Sequence, residues 1–333
     1  MCFQSLRHTL LPLFAVLALA ACHGKDDPSQ PGGSTPEAAA QSSIDLIKAG
    51  DFNGLWKHAL PPADYALLRA DWVKHAQNEP PISAEDRARF DSTLQQLTGP
   101  DAENKLYADL QPKLAAMATK YNDQIPVLIS VGGALAKNAV AQNKNLDAEQ
   151  KAQVNAALDV LTPWAQKAPW FDDAKAKQSI GVVVATARKL DLKNPDQLRS
   201  MDFDTAMTKY AIGFAGIKQL LANYGLSVDD ALGSVKVSPI DSSNGHARVK
   251  IDYTLLGKPL STESKMVQVD GRWYSEGMIN NVLQAHQQLN APSSAASSPA
   301  AANAVPAPAP AISAQAPAAA ASAPPAKSRS RSR

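Results

Sequence analysis

Residues 246–255, His-Ala-Arg-Val-Lys-Ile-Asp-Tyr-Thr-Leu, are the stretch that decides the fold. Apolar residues alternate there with polar ones: Ala247, Val249, Ile251, Tyr253 and Leu255 fall on one parity of the chain. Because successive side chains of a strand point to opposite faces, this period of two predicts a half-buried β-strand. The preceding chain shows helical spacing instead, so the stretch marks the change from helix to sheet.

Three further strands are predicted around this one. Val235 and Val237 precede a turn at residues 241–245, Asp-Ser-Ser-Asn-Gly. Gly257-Lys-Pro259 turns into a strand over residues 264–269, and Asp270-Gly271 is a strong hairpin signal before a last strand at residues 272–274. We therefore predict an antiparallel β-meander over residues 233–275, followed by a closing helix from Ile279 to Leu289.

Residues 36–230 carry the signals of a series of helices. Pro36 is suited to a first turn and Gly50 to a helix stop. Ser83 and the Asp147/Gln150 pair are typical of helix N-termini. The expected fold is thus α+β and predominantly helical, with a multi-helix body, a small antiparallel meander and a closing helix, all within residues 36–289.

Residues Ile125 to Ala136 form the most apolar segment after the N-terminus. Lys137 ends this run after about a dozen residues, whereas roughly 20 are needed to cross a bilayer. We interpret the segment as a buried core helix and not as a membrane span.

The N-terminus reads as a secretory signal. Arg7 precedes an apolar run from Leu10 to Ala21, which is too short for a transmembrane helix. Leu19-Ala20-Ala21-Cys22 at its end resembles the lipobox of bacterial lipoproteins. The resemblance implies cleavage after residue 21 and acylation of Cys22, palmitate included; the alternative is an ordinary cleaved signal with a coincidental Cys. His23 stands where Asp would favour the inner membrane, so by analogy we expect the outer membrane, facing the periplasm.

Two low-complexity segments are predicted to flank the body. Residues 22–35 lack apolar periodicity and are expected to be a flexible tether. Residues 290–333 are rich in Ala, Pro and Ser and are expected to be disordered. The tail ends in four cations, which either contact an anionic envelope surface or form a solvated basic end: Lys327, Arg329, Arg331 and Arg333.

Composition limits the classes of function. The chain has 33 Lys and Arg against 31 Asp and Glu. Of the basic residues, Arg7 lies in the signal and four lie at the tail, which leaves 28 against 31 in residues 22–326. A nucleic-acid-binding body is not expected from this balance. Cys2 leaves with the signal and Cys22 is acylated, so core packing without disulfides must stabilise the mature chain.

Two short pieces resemble small NTF2-like lipoprotein domains. Residues 44–52, Ile-Asp-Leu-Ile-Lys-Ala-Gly-Asp-Phe, are similar to their first helix and turn. Residues 267–274, Val-Gln-Val-Asp-Gly-Arg-Trp-Tyr, are similar to the hairpin that ends their curved sheet. The intervening 180 or so residues exceed the family's pattern, so either a helical insertion interrupts such a fold or the likeness is to a generic meander. No functional residue follows from the resemblance.

No catalytic constellation is found in the sequence. The mature histidines, at positions 23, 58, 75, 246 and 286, have no metal-ligand spacing and are interpreted as surface or helix-end residues. Ser227 lacks the closing Gly of a nucleophile elbow and fits a helix N-cap instead. The acidic pairs at 172–173, 202/204 and 229–230 fit helix starts. We predict no catalytic, cofactor-binding or metal-binding residue, and no cofactor.

The five tryptophans are the remaining candidates for ligand contact. Packing in the core explains them, and a groove lined by two or three of them is the alternative: Trp56, Trp72, Trp164, Trp170 and Trp273.

Three functional hypotheses follow. The first is a membrane-anchored envelope lipoprotein with a non-enzymatic binding or assembly role, contacting membrane lipid through acylated Cys22 and an envelope protein or apolar ligand through its body. The second is an NTF2-like enzyme or small-ligand-binding domain, which requires a concave pocket between the sheet and the first helices. The third is an immunity or inhibitor lipoprotein against an envelope-acting toxin.

Overall fold

The computed structural model describes residues 27, 29–78, 80–144 and 146–291. The signal peptide, Cys22, His23 and the tail with Lys327, Arg329, Arg331 and Arg333 lie outside these residues, as do residues 24–26 and 28 of the predicted tether.

The described residues form helices first, then one sheet, then a closing helix. The helices before the sheet are α1 (Pro36–Ala49), α2 (Phe52–Ala59), α3 (Pro62–Asn78), α4 (Ala84–Thr98), α5 (Ala102–Tyr121), α6 (Ile125–Gln142), α7 (Ala148–Lys167), α8 (Asp173–Leu190), α9 (Pro195–Ser200), α10 (Phe203–Asn223) and α11 (Val228–Gly233). The strands are β1 (Lys236–Ser243), β2 (His246–Leu255), β3 (Lys258–Val269) and β4 (Arg272–Ser275), and α12 (Glu276–Asn290) closes the chain. The α+β, mostly helical fold is confirmed.

The sheet is an antiparallel meander in the order β1-β2-β3-β4. Val249 lies opposite Ser264 and Ile251 opposite Thr262, and all four side chains are buried on one face. Polar residues of β2 occupy the other face, where Arg248 binds Asp241 at 2.6 Å. The alternation in residues 246–255 therefore predicts the buried face of this strand correctly.

The buried face of the sheet packs against the first two helices and the start of α10. Ile44 of α1, Leu55 of α2 and Phe203 of α10 belong to the same apolar cluster as Ile251 and Met266. The helices between these elements contribute little to that cluster. Among the described residues of α3 to α7, Ala102 is the buried side chain.

Ordered structure begins earlier than the predicted tether allows. Gly33 exchanges two backbone hydrogen bonds with Trp273 at the free edge of the sheet, at 3.0 and 2.9 Å. The Gly32 amide donates to the His58 carbonyl at 2.8 Å, and Arg272 donates to the Gly32 carbonyl. Gly32 has φ of 66° and lies so close to Tyr274 that a Cβ would clash with its ring. Residues 32–35 therefore belong to the folded body, which corrects the tether's predicted end at residue 35.

Helix α6 differs most from its prediction. The buried core helix expected over Ile125 to Ala136 is wrong: the helix extends to Gln142, and none of its residues is buried. The apolar run is explained by two apolar faces, one of which packs on α7 while the other faces outward.

Two prolines and three turns also refine the expected boundaries. Pro112 and Pro163 both lie inside continuous helices. Asp270 and Gly271 both have positive φ, as the predicted hairpin requires. The other two turns are tighter than predicted. Strand β1 ends at Ser243 and β2 begins at His246, so two residues form the first turn; β2 ends at Leu255 and β3 begins at Lys258, so two residues form the second.

Candidate binding surface

A small void lies between the sheet and the first helices. It is lined by Ser43, His58, Met266 and Trp273 and has a volume of about 10 Å³. That is the space of a single water molecule at most. This void does not supply the concave pocket that the NTF2-like hypothesis requires.

His58 fills this site as a structural residue. Its ring is buried, with Nδ1 2.9 Å from the Gln30 carbonyl oxygen and Nε2 3.2 Å from the Ala39 carbonyl oxygen. Both ring nitrogens are thus occupied by backbone oxygens, and the side chain links the N-terminal segment to α1. His58 lies in the last turn of α2, as the helix-end alternative predicts, but it is buried and not at the surface.

The other histidines and the acidic pairs lie where structure, not chemistry, explains them. His286 Nδ1 lies 2.8 Å from Asp71 and joins α12 to α3. Asp172, Asp202 and Ser227 accept backbone N–H groups as N-caps of α8, α10 and α11, as predicted. Within the described residues, no group of three or more His, Cys, Asp or Glu could hold a metal ion.

Asp204 of the acidic pairs also joins two helices. Arg69 of α3 donates to both its carboxylate oxygens, at 2.6 and 2.9 Å, and to the Tyr65 hydroxyl. The hydrogen bond from Arg69 lowers the pKa of Asp204 below its usual value. The Arg69 guanidinium also lies 5.4 Å from the Phe203 ring centroid, so this pair fastens α3 to the start of α10.

A larger open groove lies among the outer helices. Its volume is about 470 Å³, and it runs between the end of α5, the start of α6 and the α7–α8 connection. It is lined by Ala118, Asn122, Ile125, Gln166, Lys167, Ala168, Pro169, Trp170, Phe171 and Asp172. Its size is within the range of small-ligand sites, and its wall is mixed, with polar Asn122, Gln166, Lys167 and Asp172 beside the apolar residues.

The aromatic wall of this groove is rigidly supported. Trp170 stacks on Tyr224 with ring centroids 5.0 Å apart and meets Trp164 edge-to-face at 5.7 Å. Both indole N–H groups are used, since Trp170 donates to the Ala165 carbonyl and Trp164 to the Tyr224 carbonyl. The expected aromatic groove therefore involves Trp170 as a wall and Trp164 as its support. Trp56, Trp72 and Trp273 pack in or against the main core.

The outward face of α6 is the functional candidate that sequence reasoning missed. Val127, Leu128, Val131 and Leu135 are 52–64% exposed on this face. By length and composition, α6 is the one helix among the described residues that could cross a membrane. The signal for this face is present in the sequence: the apolar residues of α6 are spaced so that they lie on both sides of the helix and not on one.

Comparison with known proteins adds no assignment: no family model, curated protein or solved structure matches the chain.

Proposed function

We propose that this chain is a lipoprotein of the bacterial cell envelope, anchored in the outer membrane through acylated Cys22 and facing the periplasm, with a non-enzymatic binding or assembly role. The observation that carries the proposal is the sequence Leu19-Ala-Ala-Cys22 at the end of a short apolar run that follows Arg7. A secretory signal of this form brings Cys22 to the new N-terminus, where it can carry acyl chains. Two or three such chains make a durable anchor.

The binding role is supported by the shape of the body. The void at the sheet face has a volume of only about 10 Å³, whereas the groove beside Trp170 offers about 470 Å³, with apolar and polar walls, to a small ligand or a segment of an envelope protein. The cations at Lys327, Arg329, Arg331 and Arg333 complete the proposal as a contact to anionic phosphate groups of the envelope.

The chain offers a matched pair of cysteines for testing the anchor. Cys22→Ser should leave the protein unacylated and release it from the membrane fraction. Cys2→Ser should change neither acylation nor fractionation, because Cys2 leaves with the signal peptide. The measurements are the intact mass of the mature chain and its partition between membrane and soluble fractions. Normal membrane association and lipid labelling of Cys22→Ser would contradict the anchor.

A further inference from the structure

Helix α6 presents an uncharged apolar stripe to its surroundings. Val127, Val131 and Leu135 are spaced by four residues, and Leu128 adjoins them, so all four fall within about 100° of the helix circumference. They are 64, 53, 55 and 52% exposed, respectively. No charged residue occurs between Asp123 and Lys137. Adjoining exposed apolar side chains mark a contact site more often than isolated ones do.

The opposite side of α6 is fixed to α7. Gln166 donates to the Ser130 hydroxyl at 2.7 Å and to the Pro126 carbonyl, and Lys137 forms an ion pair with Asp159. A Cβ at Gly133 would lie 2.9 Å from Thr162 Oγ1, which shows how closely the two helices approach. The stripe is thus held on a rigid helical hairpin. A membrane-spanning α6 would draw the charges of α7 into the hydrocarbon, so a position at the surface of a bilayer is favoured over a span.

The stripe has no acidic neighbour along α6 that would repel an anionic lipid surface. Residues 124–146 contain no Asp or Glu; of their two charged residues, Lys137 pairs with Asp159 on the α7 side of the helix and Lys144 follows the helix end. An uncharged apolar face of this kind suits the interfacial layer of a membrane.

The stripe is too small to account for a protein partner. Four half-exposed side chains present far less than the roughly 800 Å² that each partner buries in a standard protein–protein interface. A bilayer requires no such area when another contact already keeps the protein nearby, because tethering raises the local concentration of the two surfaces.

Because ordered structure begins early in the chain, the connection between Cys22 and the folded body is short. Gln30 already contacts His58, so the folded body is reached eight positions along the chain from Cys22. Eight residues reach at most about 28 Å when fully extended. A body of about 260 residues has a radius of gyration of roughly 18 Å, so the connection is shorter than the body is broad. An acylated Cys22 would therefore keep the body beside the lipid surface and not far from it.

We propose that the stripe of Val127, Leu128, Val131 and Leu135 lies in the interfacial layer of the bilayer that holds the acyl chains of Cys22. This inference rests on the proposed anchor for its geometry. The stripe then acts as the second membrane contact of the protein and orients the body so that α6 faces the lipid.

A single introduced thiol tests this orientation in the full mature chain. Cys22 is blocked when acylated, so Val131→Cys is the only free thiol and can carry an environment-sensitive fluorophore. Ile217→Cys on α10 is the matched control, since Ile217 is equally exposed at 54%. In vesicles of phosphatidylethanolamine and phosphatidylglycerol, the label at 131 should shift to shorter wavelength and be quenched by spin-labelled lipid. The label at 217 should show neither change.

A second measurement separates the stripe from the anchor. The mature chain with Cys22→Ser, which has no lipid, is mixed with the same vesicles, and its partition coefficient is measured by flotation. Val131→Ser with Leu135→Ser should lower the coefficient about tenfold or more, because the buried apolar area is lost. The matched control, Val73→Ser with Ile217→Ser, should leave the partition coefficient unchanged. Both double variants keep the basic tail, so any difference between them comes from the stripe.

The outcomes distinguish the two proposals. Equal responses of the labels at 131 and 217, or equal partition of the two double variants, would overturn the membrane contact even if Cys22 is acylated. An unacylated Cys22 with a tenfold loss in flotation would overturn the anchor and retain the contact. A label at 131 that shifts without vesicles as protein concentration rises would show a second copy of the chain on the stripe and would also overturn the inference.

Discussion

The sheet with α1 and α2 and the outer helices α4 to α8 bury very different amounts of side chain. The first region contains Ile44, Leu55, Val249 and Ile251, each at most 1% exposed. In the second, the buried side chains among the described residues are Ala102, Ala176 and Val184. The first region thus supplies most of the stability, while the second has apolar surface left over for contacts outside the chain.

The largest effect is expected from truncating one leucine in each region. Leu55→Ala should cost about 2–5 kcal/mol of unfolding free energy, because it leaves a cavity in a closed core. Leu135→Ala should change stability by no more than about 0.5 kcal/mol, since that side chain is already in solvent and Ala favours helix. Urea unfolding measures both. Similar losses for the two variants would refute the division into two regions.

The sequence predicts the sheet region well and the outer helices less well. In the sheet region, the alternation at Val249 and Ile251 and the Asp270-Gly271 hairpin are local signals that burial reinforces, so they predict the structure well. In the outer region, caps such as Asp147 mark helix starts correctly, yet α6 was placed in the core because hydropathy reports what a helix could bury and not what lies beside it. Its apolar residues on both sides gave no preferred face.

The N-terminal segment was misjudged for a related reason. Residues 32–35 have no periodicity of their own, and they become ordered by pairing with Trp273, about 240 positions along the chain. Such long-range pairing leaves no local signal. The same applies to His58, whose burial depends on carbonyl groups of Gln30 and Ala39.

A second prediction concerns that histidine. His58→Ala should destabilise the protein by about 1–3 kcal/mol, because the buried ring and its hydrogen bonding to the N-terminal segment and α1 are lost. It should also increase amide hydrogen exchange at Gly32 and Gly33, since the N-terminal segment is released from the sheet edge. His246→Ala, at an exposed position, is the control and should do neither. Unchanged exchange at Gly32 and Gly33 would show that His58 does not hold the segment.

A pair of adjacent glycines tests how α6 is held on α7. Gly133→Ala should destabilise by about 1–2 kcal/mol, because the new Cβ would meet Thr162 Oγ1 at 2.9 Å and force the helices apart. Gly132→Ala meets no atom within 4 Å and should stabilise by up to about 1 kcal/mol through helix propensity. Thermal unfolding distinguishes the two. The same sign for both variants would mean that the close α6–α7 packing is not formed.

The smallest effect is expected at the ion pair between α3 and α10. Both partners are more than a third exposed, so Arg69 and Asp204 should couple by only about 0.2–1 kcal/mol in a double-mutant cycle. Because the pKa of Asp204 is lowered in the folded state, its contribution is present above the pKa of an unfolded Asp, near 4, and is lost as the pH falls through the lower folded value. Asp204→Asn should therefore weaken the acid dependence of stability below pH 4, and an unaltered dependence would count against the pair.

Hydrogen exchange on vesicles tests the central difference between the two regions most directly. Two samples are compared: the acylated protein on vesicles, and the unacylated Cys22→Ser chain in solution without detergent. Exchange is followed in peptides that cover residues 125–136 of α6 and residues 247–255 of β2. The predicted result is slower exchange on vesicles in the α6 peptide and the same exchange in the β2 peptide. Protection of the β2 peptide with none in α6 would place the sheet at the membrane and contradict the account.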